Sequence, residues 1–170
     1  MFDLVKSPFR TGTPKNGSRA TAVLTFSDAP TDANKIIIGD EVYEFDNDDI
    51  VDEGSIPVLI ENLTIVSDIV EALVDVVNEN SLVCIAVIDN NNSSIVNFGS
   101  KTVGGNDITK SVMCNNASWN TGETFTGGAI GTYAEKAGIC YIDDDYVYVS
   151  IALNSESDSN WRRASLSEIF

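Results

Sequence analysis

The sequence predicts an α+β fold of mostly antiparallel strands, in which one amphipathic helix covers a small sheet and a β-ribbon follows at the C-terminus. Three features of the 170-residue chain indicate this fold: an alternating strand pattern before residue 27, a short hairpin after it, and one segment with helical spacing of apolar residues. A sheet with one apolar face needs such a cover to exclude water from that face. One sheet covered by one helix is therefore the predicted core.

The first two elements are a strand and a hairpin. Residues 20–26 alternate threonine and valine on one face with alanine, leucine and phenylalanine on the other, as a half-buried strand does. A hairpin follows, with arms at 36–38 and 42–45 joined by Gly39 and Asp40. Gly-Asp favours a two-residue turn because glycine accepts the positive φ that such turns require.

The helix is predicted from one face of apolar residues and one of acids. Its apolar face comprises Ile69, Val70, Leu73, Val76 and Val77. Burial of each such side chain stabilises the fold by roughly 1.5 to 3 kcal/mol. Asp68, followed three residues later by Glu71, predicts a capped start, and Glu71, Asp75 and Glu79 are expected to face water. This helix is predicted to cover the sheet.

Later strands continue the antiparallel pattern. They are predicted over residues 82–88, 94–98, 108–114, 139–142, 146–153 and 161–166, with a turn at 89–92 and a loop at 104–107. Residues 115–132 are rich in Asn, Thr, Gly and Ser, which predicts a loop or linker. We therefore expect three parts: an extended basic docking arm (1–19), an α+β body (20–131) and a C-terminal β-ribbon module (132–170).

Composition narrows the class of protein. The chain is 43% hydrophobic and 21% charged, and it shows neither an apolar run long enough to span a membrane nor a signal-peptide pattern. The three cysteines, Cys84, Cys114 and Cys140, are odd in number and far apart, so we expect buried, reduced thiols. Since histidine is absent, the commonest general base is missing. We expect no enzymatic activity, no cofactor and no metal.

The charge is divided unevenly along the chain. Residues 1–19 carry four basic side chains against the single acid Asp3, so the remainder has a net charge of −19 and the whole chain −16. An acidic body repels nucleic acids and anionic membranes, and we expect binding to neither. The basic segment is interpreted either as a frayed terminus or as an arm that orders on a protein partner. The predicted docking residues are Phe2, Leu4, Val5, Lys6, Phe9, Arg10, Lys15 and Arg19.

Several segments together resemble a module of tailed-bacteriophage virion proteins. The opening TAVLTFSDAPTDANKIIIGDEVYEF and the helix ending in VVNEN are followed by VGGNDIT and FTGG. In that module Asn78 or Asn80 matches the helix-end asparagine, Gly105 and Asn106 match a GxxGN loop, and FTGG matches the closing segment. The final segment resembles the C-terminal ribbon of phage fibre and head-decoration proteins, with matches at Tyr141, Asp143, Tyr146, Tyr148, Trp161 and Leu166. The acidic stretches 46–53 and 55–63 lengthen the usual link from hairpin to helix.

The resemblance implies a virion surface component without chemistry of its own. Its expected role is a capsid decoration or head-fibre protein, held by the N-terminal arm on the major capsid protein or another virion protein. The expected location is the capsid surface, after assembly in the host cytoplasm. A homo-oligomer is implied, with a trimer as the symmetry suggested by the family.

Other functions remain open on the residues alone. A tail or fibre adhesin for host glycans would use Trp119, Tyr133, Tyr146 and Trp161, although both tryptophans are also suited to completing a core. A divalent-cation site would use acids of residues 46–53 or the triplet at 143–145, although neither follows the EF-hand pattern. Hydrolysis by the pairs Glu41 with Glu44 or Asp49 with Glu53 depends on their separation in space. The GGND loop lacks the Lys-Ser/Thr ending of a phosphate-binding loop.

Overall fold

The computed structural model describes residues 9–11, 14, 17–131, 140–142, 144–150 and 161–166. The chain forms two compact units. One is Arg19–Gly128, here called the body, and the other, here called the terminal unit, combines Met1–Ser18 with Ala129–Phe170. No helix in the described part of the chain is long and apolar enough to span a bilayer.

The body contains one helix and eight strands within its described residues. The strands are β2 (Arg19–Phe26), β3 (Lys35–Ile38), β4 (Glu41–Asp46), β5 (Ile56–Leu59), β6 (Cys84–Ile88), β7 (Ile95–Val103), β8 (Lys110–Met113) and β9 (Ala117–Trp119). The helix, α1, spans Val66–Asn80. The terminal unit contains β1 (Phe9–Thr11), β10 (Cys140–Ile142), β11 (Tyr146–Ser150) and β12 (Trp161–Ser165).

The first sheet of the body has the order β6-β7-β2-β9, with all neighbours antiparallel. Its inner face is apolar because β2 alternates as predicted: Ala20, Ala22, Leu24 and Phe26 are buried, whereas Thr21 and Thr25 are exposed. The strand β9 corrects the sequence interpretation of residues 115–132 as a loop or linker. Its three residues form a strand because they pair with β2, and the local composition does not predict this pairing.

The second sheet has the order β5-β4-β3-β8. The hairpin β3–β4 is confirmed, with Ile38 opposite Glu41 and a positive φ of 61° at Gly39. The strand β5 was not predicted: it is four residues long, contains Pro57 and pairs in parallel with β4. Proline lacks the N–H that a central strand donates, and β5 accordingly lies at an edge of the sheet.

The helix α1 packs into the one continuous core of the body. Ile69, Val70, Leu73, Val74 and Val77 are buried among the inner residues of both sheets. The predicted face is therefore correct except that Val74 replaces Val76, which is only partly buried. The predicted cap is wrong, because the helix begins after Ile65 and has no side-chain cap hydrogen bond. The acids Glu71, Asp75 and Glu79 are exposed, as predicted.

The terminal unit is built on a sheet of the order β1-β10-β11-β12. The ribbon β10–β11–β12 is antiparallel, as predicted, and Tyr148 and Trp161 form a small core with Tyr141 and Tyr146. The strand β1 joins β10 in parallel, with Phe9 opposite Cys140. Together the two units confirm the predicted α+β class with mostly antiparallel strands, one helix and a C-terminal ribbon.

Candidate functional site

The structure describes three of the eight predicted docking residues. Phe9 and Arg10 belong to β1, where they pair with Cys140 and Tyr141 of the chain's own β10. Arg19 is the first residue of β2, and its Nη1 lies 3.3 Å from the carbonyl oxygen of Ser100. The assignment of Arg19 to an extended arm is therefore wrong, because it is part of the body sheet. The other five, Phe2, Leu4, Val5, Lys6 and Lys15, lie outside the described residues.

Trp119 is half-buried at the end of β9 and is engaged on several sides. Its ring centroid lies 5.1 Å from that of Phe98 and 5.5 Å from Nζ of Lys110. Its indole Nε1 donates a hydrogen bond of 2.9 Å to the carbonyl oxygen of Ser111. Through these contacts Trp119 closes one edge of the core. Packing of this kind is one of the two roles that the sequence left open for the tryptophans.

The other predicted aromatic contacts belong to the terminal unit or are not described. Trp161 is buried and packs edge-on against Tyr141, with ring centroids 5.2 Å apart. Tyr146 is half-buried, and the guanidinium of Arg163 lies 4.7 Å from its ring centroid. Tyr133 lies outside the described residues. The buried ring of Trp161 fits the packing role that the sequence left open for the tryptophans beside the glycan contact.

Lys110 is a buried cation that the sequence did not single out. Its Nζ lies 2.8 Å from both the carbonyl oxygen and the Oδ1 of Asn120, and burial lowers the pKa of this lysine. The same Oδ1 accepts a 3.1 Å hydrogen bond from the backbone N–H of Val23. Lys110 of β8 thus holds Asn120, the residue after β9, through hydrogen bonds to uncharged oxygens.

Three carboxylates meet at the end of β4. Ligand oxygens of Asp32, Asp46 and Asp48 all lie within 4.8 Å of one another, and Asp46 is only 4% exposed. Backbone N–H groups donate hydrogen bonds to two of these carboxylates: that of Asn47 to Asp32 at 2.9 Å and that of Asp48 to Asp46 at 3.1 Å. Carboxylate oxygens suit Ca²⁺, but one oxygen from each of these residues gives three of the six to eight that this ion takes. The cluster alone does not define a metal centre.

The sequence predicted this acidic cluster only in part. Asp46 and Asp48 belong to it, whereas Asp52 pairs with Lys35 and the residue that completes the cluster, Asp32, comes from the loop before β3. Of the triplet at 143–145, residue 143 lies outside the described residues and the other two are exposed. Asp32 also lines a cleft of about 380 Å³, together with Pro30, Thr31, Asn47, Ile60, Asn62, Leu63 and Thr64.

Glu41 and Glu44, one of the two carboxylate pairs considered for hydrolysis, have structural partners. Glu41 accepts hydrogen bonds from the hydroxyl of Tyr43 at 2.8 Å and from the N–H of Leu82 at 2.6 Å. Glu44 lies 3.2 Å from Nζ of Lys35 and accepts a 3.0 Å bond from the N–H of Asp52. Burial alone would raise the pKa of Glu44, but hydrogen bonds from Ser55, Asp52 and Lys35 outweigh it and lower that pKa. Glu41 and Glu44, three residues apart on β4, point to opposite faces.

The middle of the outer face of the β6-β7-β2-β9 sheet is exposed and carries no charged side chain, whereas Arg19 and Lys101 occupy exposed outward positions toward one end of it. We call this surface the open face, and it comprises Thr21, Val23, Thr25, Ile85, Val87, Ile95, Asn97, Gly99 and Ser118. Ile85 is 41% exposed and Val87 is 56% exposed. In the register of the sheet, Val87, Asn97 and Val23 form its central row. Exposed apolar side chains grouped on one surface are typical of interaction sites.

The segments that carry the resemblance meet in space. The side chain of Asn106, in the GGN loop, donates to the carbonyl oxygen of Gly128 at 2.8 Å and accepts from its N–H at 2.9 Å. Gly128 is the last residue of FTGG, so the loop and the closing segment are joined directly. A side chain at Gly128 would place its Cβ 1.7 Å from the carbonyl oxygen of Gly104. This junction requires both an asparagine and a glycine.

The helix-end asparagine of the motif has a similar role. Asn78 donates from Nδ2 to the carbonyl oxygen of Ala86 at 2.9 Å, and its Oδ1 accepts from the N–H of Ala86 at 2.8 Å. Asn80, the other residue considered for this position, bonds the carbonyl oxygen of Val76 in its own helix. Asn78 therefore joins α1 to β6, whereas the side chain of Asn80 bonds within its own helix. Comparison with known protein families and with curated proteins gives no match to this chain.

Proposed function

We propose that this chain is a non-enzymatic structural component of a tailed-bacteriophage particle. It decorates the exterior of the capsid and is attached to the major capsid protein, or to another virion protein, through its N-terminal segment. The protein assembles in the host cytoplasm and acts as part of the virion.

The pair of hydrogen bonds between Asn106 and Gly128 is the observation that carries this proposal. The phage module was suggested by separate short segments, and two of these segments contact each other through the residues that define them. A chance likeness of short segments gives no reason for their defining residues to meet. The side chains of Asn78 and Asn106 hydrogen-bond backbone groups, and Gly128 packs closely against the backbone of Gly104. These contacts support a structural role for the motif.

Charge supports attachment through the N-terminal segment. The body contains four basic and eighteen acidic residues, whereas residues 1–18 contain three basic residues and one acidic residue. A basic segment joined to an acidic domain is suited to bind an acidic protein surface while the domain itself is repelled from it. The domain is then displayed outward from the shell.

Quantitative mass spectrometry of purified virions from the source tests the location. We expect a copy number close to that of the major capsid protein or a simple fraction of it. A few copies per particle would instead assign the chain to the tail or its fibres, where the glycan-binding alternative belongs. Absence from the particles would contradict the proposal.

A truncation tests the mode of attachment. Removing residues 1–8 keeps β1 and β2 intact and deletes four of the predicted docking residues, Phe2, Leu4, Val5 and Lys6. We expect the truncated chain to keep its melting temperature and to lose co-sedimentation with capsids that lack the protein. The matched control is Arg162→Ala, which removes an exposed positive charge from β12. Unchanged co-sedimentation of the truncated chain would exclude attachment through residues 1–8, since Arg10 and Lys15 remain in it.

A further inference from the structure

The amine of Lys110 is held in the core by uncharged oxygens. The residue is 5% exposed, and its Nζ lies 2.8 Å from the backbone carbonyl oxygen of Asn120 and 2.8 Å from Oδ1 of the same residue. In the described part of the chain no carboxylate pairs with this Nζ, whereas the amine of Lys35 is paired with Glu44 and Asp52. Buried lysines are usually paired with an acid, because a lone buried charge is costly. Lys110 has a carboxamide where such an acid would stand.

The surroundings of Lys110 increase the fraction of its amine that is neutral. Burial lowers the pKa of this lysine, and the side chains that face it are uncharged: Ile38 is its partner on β3, and the Trp119 ring lies beside Nζ. Glu123 contributes its backbone oxygen, which accepts a 2.8 Å hydrogen bond from the backbone N–H of Lys110, and Glu123 itself is exposed. A neutral lysine in an apolar site is a nucleophile.

Asn120 supplies an electrophilic carbon next to this amine. Its Oδ1 also accepts a 3.1 Å hydrogen bond from the backbone N–H of Val23. A donor in this position stabilises the negative oxygen that forms when the adjacent Cγ is attacked. Since Cγ is one C=O bond away from Oδ1, Nζ of Lys110 lies within about 4 Å of Cγ. Reacting atoms need a separation of about 3 to 3.5 Å, which a small rotation of the lysine side chain provides.

We propose that Lys110 and Asn120 become joined by an isopeptide bond that the folded chain forms by itself. The neutral Nζ attacks Cγ of Asn120, so that a new N–C bond forms and the bond from Cγ to Nδ2 breaks. Nζ gives up one proton and Nδ2 gains one, so that ammonia leaves and an amide remains. The reaction consumes no oxidant, reductant or cofactor. It occurs once in each chain, which distinguishes it from enzymatic turnover.

The bond would connect the two sheets of the body covalently. Lys110 belongs to β8, the edge strand of one sheet, and Asn120 directly follows β9, the edge strand of the other. A covalent link at these two edges resists their separation, which suits a protein with a structural role. In a chain that has reacted, Lys110 no longer titrates, so its pKa concerns the unreacted chain. The inference concerns the isolated chain and does not depend on the proposed virion location.

The mass of the full chain under denaturing conditions tests the bond. We expect the folded chain to lose the mass of one ammonia molecule during incubation at about pH 9, and to lose it more slowly at neutral pH because less of the amine is neutral. Trypsin then no longer cuts after Lys110, and the peptide of residues 102–136 carries the mass loss. Fragmentation of this peptide is expected to release no fragment by cleavage between Lys110 and Asn120, because the bond closes this segment into a ring.

A pair of matched substitutions separates this bond from ring closure at other asparagines, which also releases ammonia. Lys110→Arg keeps a donor for both oxygens of Asn120 but removes the nucleophilic amine, so we expect it to keep its full mass. Lys101→Arg is the control, because the amine of Lys101 bonds the carbonyl oxygen of Ser81, and we expect it to lose ammonia as the unmodified chain does. Melting temperatures establish that each variant is folded.

Two results would overturn the proposal. One is a folded, unmodified chain that keeps its full mass after several days at about pH 9, and the other is an equal loss of ammonia in Lys110→Arg. If Lys110→Arg does not fold, the tryptic peptides of the unmodified chain decide the question. Cleavage after Lys110 in a chain that has lost ammonia would place the loss elsewhere and exclude the bond.

Discussion

The carboxamide of Asn78 forms two hydrogen bonds with the backbone of Ala86, one to its carbonyl oxygen at 2.9 Å and one from its N–H at 2.8 Å. Ala86 lies in the middle of β6, which is an edge strand. A side chain of α1 thus replaces the missing neighbouring strand at this position. Two residues earlier on the same edge, the N–H of Cys84 donates a 3.1 Å hydrogen bond to Oγ of Ser81.

The first prediction concerns this edge. Asn78→Ala removes both bonds and is expected to lower the free energy of unfolding by about 1 to 3 kcal/mol, since each hydrogen bond contributes about 0.5 to 1.5 kcal/mol. Asn80→Ala is the control, because Asn80 bonds only its own helix, and we expect a change within about 0.5 kcal/mol. Urea denaturation measures both. Equal losses in the two variants would contradict the edge role of Asn78.

The second prediction concerns the closing glycine of the motif. Gly128→Ala is expected to cost more than about 3 kcal/mol or to prevent folding, because the added Cβ would overlap backbone atoms of Gly104 and Ala20 that cannot rotate away. Gly99→Ala is the control, since its Cβ would meet only Ile85 at an ordinary distance of 3.8 Å. Melting temperatures at low protein concentration compare the two. A tolerated Gly128→Ala would show that this junction is not closely packed.

The third prediction concerns alkaline pH. Burial, and then its hydrogen bond to Glu41, raise the pKa of Tyr43 well above the ordinary value of 10.0, and burial raises the pKa of Cys84 above 9.0. The folded state therefore keeps these protons when the unfolded state has lost them. Stability is expected to be fully present below pH 9.0 and to fall as the pH rises through the range in which unfolded cysteine and tyrosine ionise.

Tyr43→Phe isolates one part of this alkaline loss. We expect the variant to lose less stability than the unmodified chain between pH 9 and pH 12, both being measured by urea denaturation against their own values at pH 7. Lys110 acts in the opposite direction, because burial lowers its pKa and stability rises as the pH approaches 10.5. The comparison cancels the effect of Lys110. Parallel pH profiles of the two proteins would rule out a contribution from the Tyr43 hydroxyl.

The fourth prediction concerns the acidic cluster. Asp32 and Asp48 are exposed, and backbone N–H groups already serve the cluster, so we expect a chelator to leave the melting temperature unchanged. Asp48→Asn is expected to raise stability by a few tenths of a kcal/mol at low salt because it reduces repulsion among three carboxylates. A rise in melting temperature with added Ca²⁺ that disappears in Asp46→Asn would contradict this expectation.

Local patterns predicted those elements whose burial alternates in the sequence. The strand β2, the hairpin β3–β4, the apolar side of α1 and the ribbon after residue 139 all follow from periodicity, because the residues that face the core recur at every second position or along one side of a helix. The elements that were missed, β1, β5 and β9, are three or four residues long. They form because a partner strand is available, and a partner distant in sequence leaves no local signal.

The sequence likewise predicted only part of the candidate sites. The sequence indicated asparagines and glycines at residues 78, 105, 106 and 128 through a resemblance, but not which backbone groups they serve. It assigned Arg19 to an arm, whereas Arg19 begins β2. It left open whether Trp161 contacts a glycan or completes a core, and the structure places this ring in a small core. It also gave no sign of the buried Lys110, because lysine is usually exposed and only its distant neighbours cover it here.

The amino-acid sequence by itself determined the class of this protein: an acidic α+β chain without histidine, with one amphipathic helix and alternating strands. Composition and periodicity suffice for this, because each depends only on the residues of one segment. The tertiary structure decided which segments lie side by side, and with them the Asn106–Gly128 junction, the Asp32–Asp46–Asp48 cluster and the uncharged open face. Each of these joins residues far apart in the chain, so its energy exists only after the strands have paired.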